Sequence, residues 1–209
     1  MKVPNVEFLE RMRVLCDIHQ VLLILDEVQT SFRTGHYSAT QHPHYKNAKG
    51  DLIVVAKALT AGFYPSSVVI GGVEIMGLLE KGSEGSTFGG SQVACVAGLA
   101  TLDMINQENI FEKLNSVGGN VKTILEEAEL SFPEIVADHR GLGAMLGLEL
   151  HKPEDALRLK KNLMVFKTEV NGTSVDGIHI KIAGDGKTMR VSPNAKWTQN
   201  EIDIFREGL

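Results

Sequence analysis

Two apolar runs in this sequence end on side chains that could do chemistry. Val21–Leu25 is followed by Asp26 and Glu27, and Leu52–Ala56 is followed by Lys57. A lysine that is partly removed from water becomes available as a nucleophile and a base, and a carboxylate can stabilise a neighbouring positive charge. Most lysines are simply solvated, because a buried ammonium group is rare. The pattern alone therefore favours a solvated Lys57, and a functional role for it needs support from other motifs.

The two runs predict neighbouring strands. Each is short, apolar and bounded by charge, which is typical of a strand buried on both faces of a parallel sheet. Open α/β sheets keep their ligand sites at the carboxyl ends of such strands. We therefore expect Asp26 and Lys57 to lie at one edge of an α/β sheet.

Helical periodicity predicts the elements that surround these strands. Apolar residues recur at helical spacing over Val6–His19, over Ser91–Ile105 after a glycine-rich turn, and over Asn109–Leu130. A further β-branched run over Ser66–Ile70 predicts a strand. The stretch Ser31–Lys49 has no clean period and predicts a long loop, and long loops in compact domains are often functional.

Pro133 marks the predicted domain boundary, and a smaller α+β unit is expected after it. Loops are predicted over Asn171–Gly177 and Gly184–Lys187. The predicted strands and helices of this unit are Ala144–Leu150, Glu154–Asn162, Leu163–Thr168, Ile178–Ile182, Met189–Val191 and a helix after Thr198.

Composition excludes several classes of function. The 209 residues carry a net charge of −5, which gives no basic footprint for nucleic acid. No apolar run approaches the roughly 20 residues that cross a bilayer. The first residues lack the apolar segment of a secretory signal, so we expect a protein of the cytoplasm or the mitochondrial matrix. Cys16 and Cys95 stand in apolar settings and are expected to be buried, reduced thiols.

Two other kinds of site are disfavoured. His36, His42 and His44 cluster in the predicted loop, but their spacing does not match that of zinc ligands. The sequence GDGKT at Gly184–Thr188 is similar to a phosphate-binding loop of NTPases. That loop needs a glycine where Lys181 stands, so the match fails.

Three ordered motifs give a stronger signal. DEVQT at Asp26–Thr30, AKALTAGFYP at Ala56–Pro65 and GSTFGG at Gly85–Gly90 resemble the class III aminotransferases, which use pyridoxal phosphate (PLP). The chain is most similar to the ornithine-type branch and covers the second half of that family's sequence. The resemblance implies a fold-type-I transferase, with residues 1–132 as part of the PLP-binding large domain and residues 133–209 as the small C-terminal domain.

The resemblance assigns roles at the two strand ends. Lys57 would bond covalently to PLP and then move a proton on the substrate. Asp26 would lie beside the pyridine nitrogen and keep it protonated, and Gln29 would lie near the phenolic oxygen of the cofactor. Glu27 points away from Asp26 because side chains alternate along a strand, and it is expected to be structural, paired with Arg33.

It also assigns residues outside these strands. Ser86 and Thr87 would donate to the cofactor phosphate, and in the family the threonine reaches the cofactor of the neighbouring subunit, which implies a homodimer. Arg190 would bind the substrate carboxylate through its two-pronged guanidinium group. Arg140 is expected to be structural.

The expected reaction moves a terminal amino group from ornithine to a 2-oxo acid and gives glutamate semialdehyde and an amino acid. The acetylornithine and 4-aminobutyrate branches stay open. So does a half-length relative that only dimerises or binds a partner, because part of the family's site lies in the half of its sequence that this chain does not match. The chain also departs from the family pattern at Ser31, usually glycine, and at Ser91-Gln92, usually Asn-Pro.

Overall fold

The computed structural model describes residues 2–45 and 49–209. Its contacts divide the chain into two compact units. The first unit consists of residues 4–111, and the second consists of residues 112–209 with the first residues of the chain. The domain boundary proposed at Pro133 lies after this division and stays a prediction.

The first unit is built on a three-stranded sheet. Its strands are β1 (Ile24–Asp26), β2 (Leu52–Val55) and β3 (Val68–Gly71), in the order β1-β2-β3. β1 and β2 are parallel, as predicted, whereas β3 is antiparallel to β2. The two parallel strands therefore end at one edge of the sheet.

The prediction that the first strand is buried on both faces is wrong. Ile24 in β1 is 57% exposed, whereas Val55 at the end of β2 is 3% exposed. The physical reason is that burial of a strand's faces needs a layer packed on each side of the sheet, and the exposed side chains of Ile24 and of Val69 and Ile70 in β3 show that the described residues do not supply both layers.

The helices of the first unit begin where the sequence predicts. α1 (Val6–Ile18) starts after Asn5, whose side chain accepts a hydrogen bond from the Phe8 N–H at 2.8 Å. After the short α2 (Val73–Met76), α3 (Gln92–Gln107) starts after Ser91, whose Oγ accepts from the Ala94 N–H at 3.3 Å. α4 (Ile110–Ser131) begins in the first unit and continues into the second.

The second unit contains the larger hydrophobic core. The elements after α4 are β4 (Val136–Leu142), β5 (Met145–Leu150), α5 (Pro153–Val165), β6 (Lys167–Val170), β7 (Thr173–Asp176), β8 (Lys181–Ile182), β9 (Thr188–Val191) and α6 (Gln199–Gly208). The antiparallel sheet has the strand order β4-β5-β9-β8, and β6 and β7 form a separate hairpin. Val121, Leu125 and Leu148 are at most 1% exposed and belong to the core between helix and sheet.

Two predictions in this unit are wrong. The strand expected over Leu163–Thr168 starts only at Lys167, because α5 continues through Val165. The loop expected over Asn171–Gly177 contains β7. Asn171 and Gly172 have φ of +49° and +79°, the left-handed pair of a tight hairpin turn, and Asn-Gly is a strong sequence signal for that turn.

Among residues 2–45 and 49–209, no helix combines the length and the apolar character that crossing a bilayer requires. Cys16 is buried, as expected, but Cys95 is exposed, and both are free thiols.

Candidate functional site

Asp26 and Lys57 lie at the same edge of the first sheet. The parallel register pairs Asp26 of β1 with Val54 of β2, and Lys57 follows Val54 by three residues. Neighbouring strands are about 4.8 Å apart, so the register brings the two residues to adjacent strand ends. Both are exposed. An amine and a carboxylate at adjacent strand ends can serve one ligand with nucleophilic attack, proton transfer and stabilisation of positive charge.

Lys57 has a left-handed backbone. Its φ is +45°, and it begins a 3-10 turn, Lys57–Thr60, that ends at Ala61 with φ of +50°. This conformation costs roughly 1–2 kcal/mol for a residue that is not glycine. The turn is fixed by Thr60, which is 2% exposed and donates from Oγ1 to the Tyr64 carbonyl at 2.5 Å. Strain of this kind concentrates at functional sites.

The Asp26 side chain is held by the turn that follows it. Oδ1 of Asp26 accepts a hydrogen bond from the Val28 N–H at 3.0 Å. The next residues form a helical turn in which the Ser31 N–H donates to the Glu27 carbonyl at 3.1 Å. Gln29 is half-buried in this turn. DEVQT therefore folds as a single compact unit at the end of β1.

Glu27 anchors the loop beyond this turn. Its carboxylate is buried and accepts hydrogen bonds from Ser31 Oγ at 2.9 Å, Ser38 Oγ at 2.6 Å and the Ala39 N–H at 2.6 Å. Three donors satisfy a buried carboxylate well. The structural role expected for Glu27 is supported, but among the described residues its carboxylate accepts from Ser31, Ser38 and Ala39 and not from Arg33, the partner that the sequence predicted.

Ser31 and Ser38 are residues whose part in the site sequence reasoning missed. Ser38 begins the 3-10 helix Ala39–Gln41, and the Gln41 side chain accepts from the Ser38 N–H at 3.3 Å. The pattern Ser38-x-x-Gln41 is a capping-box signal that could have located this turn. The loop predicted over Ser31–Lys49 is otherwise irregular, and part of it lies outside the described residues.

The predicted phosphate-binding residues lie in a separate turn. Ser86 and Thr87 are exposed, and Ser86 lines a cavity of about 610 Å³ together with Gly89 and Gly90. Gly90 has φ of +67°, which a residue with a side chain rarely adopts. The residues that line this cavity include neither Asp26 nor Lys57. The structure thus brings Asp26 and Lys57 to the same end of the sheet, and the cavity that Ser86 lines also includes Leu59, which belongs to the turn that Lys57 begins.

Arg190 belongs to the second unit. It is half-buried on β9 and pairs in register with Gly147 of β5 and Lys181 of β8. Arg140 of β4 lies in the same sheet and donates to Glu149 Oε2 at 2.5 Å and to Thr188 Oγ1 at 3.3 Å. The hydrogen bond from Arg140 lowers the pKa of Glu149. Arg140 therefore cross-links the sheet, as expected of a structural residue.

No metal centre is found among the described residues. None of them forms a group of three or more His, Cys, Asp or Glu side chains that could hold a metal ion. In the histidine cluster, the His36 ring contacts the His42 ring with 5.2 Å between centroids, and the His42 ring nitrogen accepts from the His44 N–H at 3.1 Å. The three histidines thus contribute to the packing and hydrogen bonding of the loop.

Comparison with known proteins assigns the chain to a family. The family described as "Aminotransferase class-III" matches residues 1–209. The chain is 33% identical to ornithine aminotransferase of Oceanobacillus iheyensis over 205 residues, which cover 96% of this chain and 46% of that protein. It is 40% identical to 5-aminovalerate aminotransferase DavT of Pseudomonas aeruginosa over 158 residues, 72% of this chain and 36% of the relative.

The solved structures agree with the sequence comparison. The fold matches ornithine aminotransferase of Plasmodium yoelii with a TM-score of 0.80 and 30% identity, over 99% of this chain and 51% of that one. The expectation of an α/β, fold-type-I architecture is confirmed. The chain spans about half the length of this structure and of the Oceanobacillus relative, and a smaller share of DavT. The protein belongs to the class III aminotransferase family, whose members depend on PLP.

Proposed function

We propose that this chain supplies the lysine and the ring-nitrogen carboxylate of a PLP-dependent transamination of the ornithine type. The observation that carries the proposal is the convergence of Asp26 and Lys57 on adjacent ends of two parallel strands. Lys57 would form the covalent bond to the cofactor aldehyde and, once released by the substrate amine, would move the proton at the substrate carbon. Asp26 would hold the proton on the pyridine nitrogen.

The donor set of this chain fits PLP. An amine and a carboxylate at one sheet edge suit an aldehyde and a protonated ring nitrogen on one small ring, and the exposed hydroxyl groups of Ser86 and Thr87 suit a phosphate. When bound, PLP supplies the electron sink that stabilises negative charge on the substrate carbon. Gln29 would donate to the phenolic oxygen from the turn after Asp26.

The family resemblance favours a homodimer. It implies that Thr87 donates to the phosphate of the cofactor that the neighbouring subunit holds. Thr87 is exposed and therefore accessible to such a partner. The dimer would then complete the cofactor site.

The substrates proposed are an amino acid with a terminal amino group and a 2-oxo acid. Arg190 would bind a carboxylate with the geometry that a guanidinium group favours. The ornithine-type donor rests on similarity to relatives named ornithine aminotransferases, and 5-aminovalerate and 4-aminobutyrate are the competing donors, because relatives named for them are similar as well.

The test is to find which lysine the cofactor modifies. The chain is incubated with excess PLP, reduced with borohydride and mapped by peptide mass spectrometry. We expect the label mainly on Lys57, and we expect it to disappear in Lys57→Ala but persist in Lys81→Ala, which removes another exposed lysine. Asp26→Asn should keep the label and slow amino transfer to a 2-oxo acid on the order of 100-fold. Equal labelling of Lys57 and Lys81, or a pattern unchanged in Lys57→Ala, would overturn the assignment.

A further inference from the structure

The first unit exposes an unusual number of large apolar side chains. Among the described residues, 25 large hydrophobic side chains are exposed, and 20 of them belong to residues 4–111 against five in the second unit. Single exposed apolar residues are normal on a protein surface, but contiguous sets mark interaction sites. The excess of exposed apolar side chains is therefore a property of the first unit and indicates an interaction surface on it.

The hydrophobic core of the first unit is correspondingly small. Its cluster of buried apolar residues has three members, Phe32, Val55 and Ile105, whereas the cluster of the second unit has fourteen. The two units are similar in length, at about one hundred residues each. The apolar side chains that a unit of this size would normally bury are, in the first unit, on its surface.

The exposed apolar side chains lie on both faces of the sheet. Val68, Val69 and Ile70 of β3 are 39%, 50% and 55% exposed. Side chains alternate between the two faces along a strand, so Val69 is exposed on one face and its two neighbours on the other. Ile24 of β1, on the opposite edge of the sheet, is exposed as well. Both edges and both faces thus present uncovered apolar surface.

Helix α3 adds a further uncovered stripe. Val93, Val96 and Met104 are exposed and line, with Phe63, an apolar groove of about 540 Å³. Their spacing of three and eight residues places them on one side of the helix. An apolar stripe of this kind normally faces a protein core.

We propose that this surface is the docking face for the half of the class III aminotransferase fold which this chain does not match, and that it binds this half when the half is supplied as a separate polypeptide. The chain covers 51% of the Plasmodium yoelii enzyme with 99% of its own length, so that enzyme contains about as much chain again. A sheet with parallel strands is normally covered by helices on both faces. A polypeptide of that length and class supplies helices for both faces and strands for the edges.

A second copy of this chain does not meet the same requirement. A two-fold dimer uses one self-complementary patch on each copy. Val69 and its neighbours Val68 and Ile70 face opposite sides of the sheet, so one such patch leaves one of the two faces uncovered. The proposal concerns assembly only, and it stands on the exposed surface and on family membership, independently of the role of Lys57.

The experiment mixes two polypeptides. The full chain, carrying an affinity tag, is co-expressed with the part of the Oceanobacillus iheyensis ornithine aminotransferase that lies outside the matched 46% of that protein. We expect co-purification in equal molar amounts, a mass by light scattering that equals one such pair or, with the homodimer proposed above, two pairs, and loss of the apolar dye binding that we expect of the chain alone. The chain remaining alone, an insoluble fragment in its presence, or dye release through formation of a dimer of the chain itself would each overturn the proposal.

Matched variants locate the interface. Val69→Asp, in the first unit, should weaken assembly at least about tenfold, because the new carboxylate loses its water when the sheet face is covered. Leu157→Asp in the second unit, where the native side chain is 48% exposed against 50% for Val69, should leave assembly unchanged. Equal weakening of assembly by Val69→Asp and Leu157→Asp would contradict an interface on the first unit. A complex that carries no PLP label on Lys57 would count against the proposed function and leave the assembly proposal intact. A chain that is labelled on Lys57 but forms no complex would count against the assembly proposal and leave the proposed function intact.

Discussion

The ion pair between Arg140 and Glu149 makes the stability of the fold depend on pH. The Arg140 guanidinium donates to this carboxylate, and the two side chains are 11% and 25% exposed. The hydrogen bond lowers the pKa of Glu149 below its ordinary value. Because the folded pKa is depressed, the stabilisation is present above the unfolded carboxyl pKa of about 4.3 and is lost as the pH falls through the folded value.

Replacing this carboxylate tests the effect. We expect Glu149→Gln to lower the free energy of unfolding by about 1–2 kcal/mol at pH 7, since the acceptor of the Arg140 hydrogen bond loses its negative charge. The difference from the parent chain should shrink below about pH 4, where the parent carboxylate also becomes protonated. Urea unfolding of both proteins across this range measures it, with Glu169→Gln as an exposed control on β6. A difference that stayed constant with pH would contradict the linkage.

The positions of two candidate site residues could be predicted better than the hydrogen-bond partners of their neighbours. Asp26 and Lys57 were found from the ends of two apolar runs, and the parallel register confirms that they share a sheet edge. The hydrogen bonds from Ser31 and Ser38 to Glu27 were not predicted, because they span four and eleven residues through an irregular loop. Such contacts depend on the path of the loop, which has no periodicity that a sequence could display.

At the scale of elements, helix α4 contains two adjacent glycines, Gly118 and Gly119, that differ in the space available for a side chain. A Cβ on Gly118 would lie 2.2 Å from the carbonyl oxygen of Gly143, in the turn between β4 and β5, and would force backbone atoms apart. A Cβ on Gly119 would meet no atom within 4 Å. The close approach of helix and hairpin thus requires glycine at one position and not at the next.

The two alanine variants should therefore shift stability in opposite directions. Gly118→Ala is expected to destabilise the protein by about 1–3 kcal/mol through overpacking. Gly119→Ala should stabilise it by about 0.5–1 kcal/mol, since alanine favours a helix and restricts the unfolded chain. Denaturant midpoints for the two variants and the parent chain give both values. Equal effects of the two substitutions would show that the helix does not approach the hairpin in this way.

Local signals explain which elements could be predicted. α1 and α3 were located correctly because apolar residues recur in them at helical spacing, and the structure adds the caps Asn5 and Ser91 at their starts. β7 was missed although Asn171-Gly172 marks its turn, since the short strands on either side are mostly polar. Burial of β1 was predicted wrongly because an apolar run shows that a strand can be covered, but the covering layer is supplied by other parts of a fold.

At the scale of the whole molecule, the unequal cores predict unequal local stability. Fourteen buried apolar residues form the core of the second unit, against three in the first. Regions with few buried apolar contacts open more easily, and their amide hydrogens exchange faster. For the chain alone we expect amides of the β5–β9 pair to exchange at least about tenfold more slowly than those of the β1–β2 pair.

Hydrogen exchange followed by mass spectrometry measures this difference. Peptides covering Met145–Leu150 and Leu52–Val55 report the two sheets. Addition of a polypeptide that covers the first sheet should slow its exchange and leave the second sheet unchanged. Equal protection of both sheets in the chain alone would contradict the inference from core size.

The parallel register of β1 and β2 has a further consequence for how the site can fail. A shift of the pairing by a single residue would move Asp26 about 3.3 Å along its strand and turn its side chain to the other side of the sheet. Asp26 and Lys57 would then no longer share one side of the sheet, although the sequence is unchanged. The residues that align these two short strands during folding are therefore as important to the proposed site as Asp26 and Lys57 themselves.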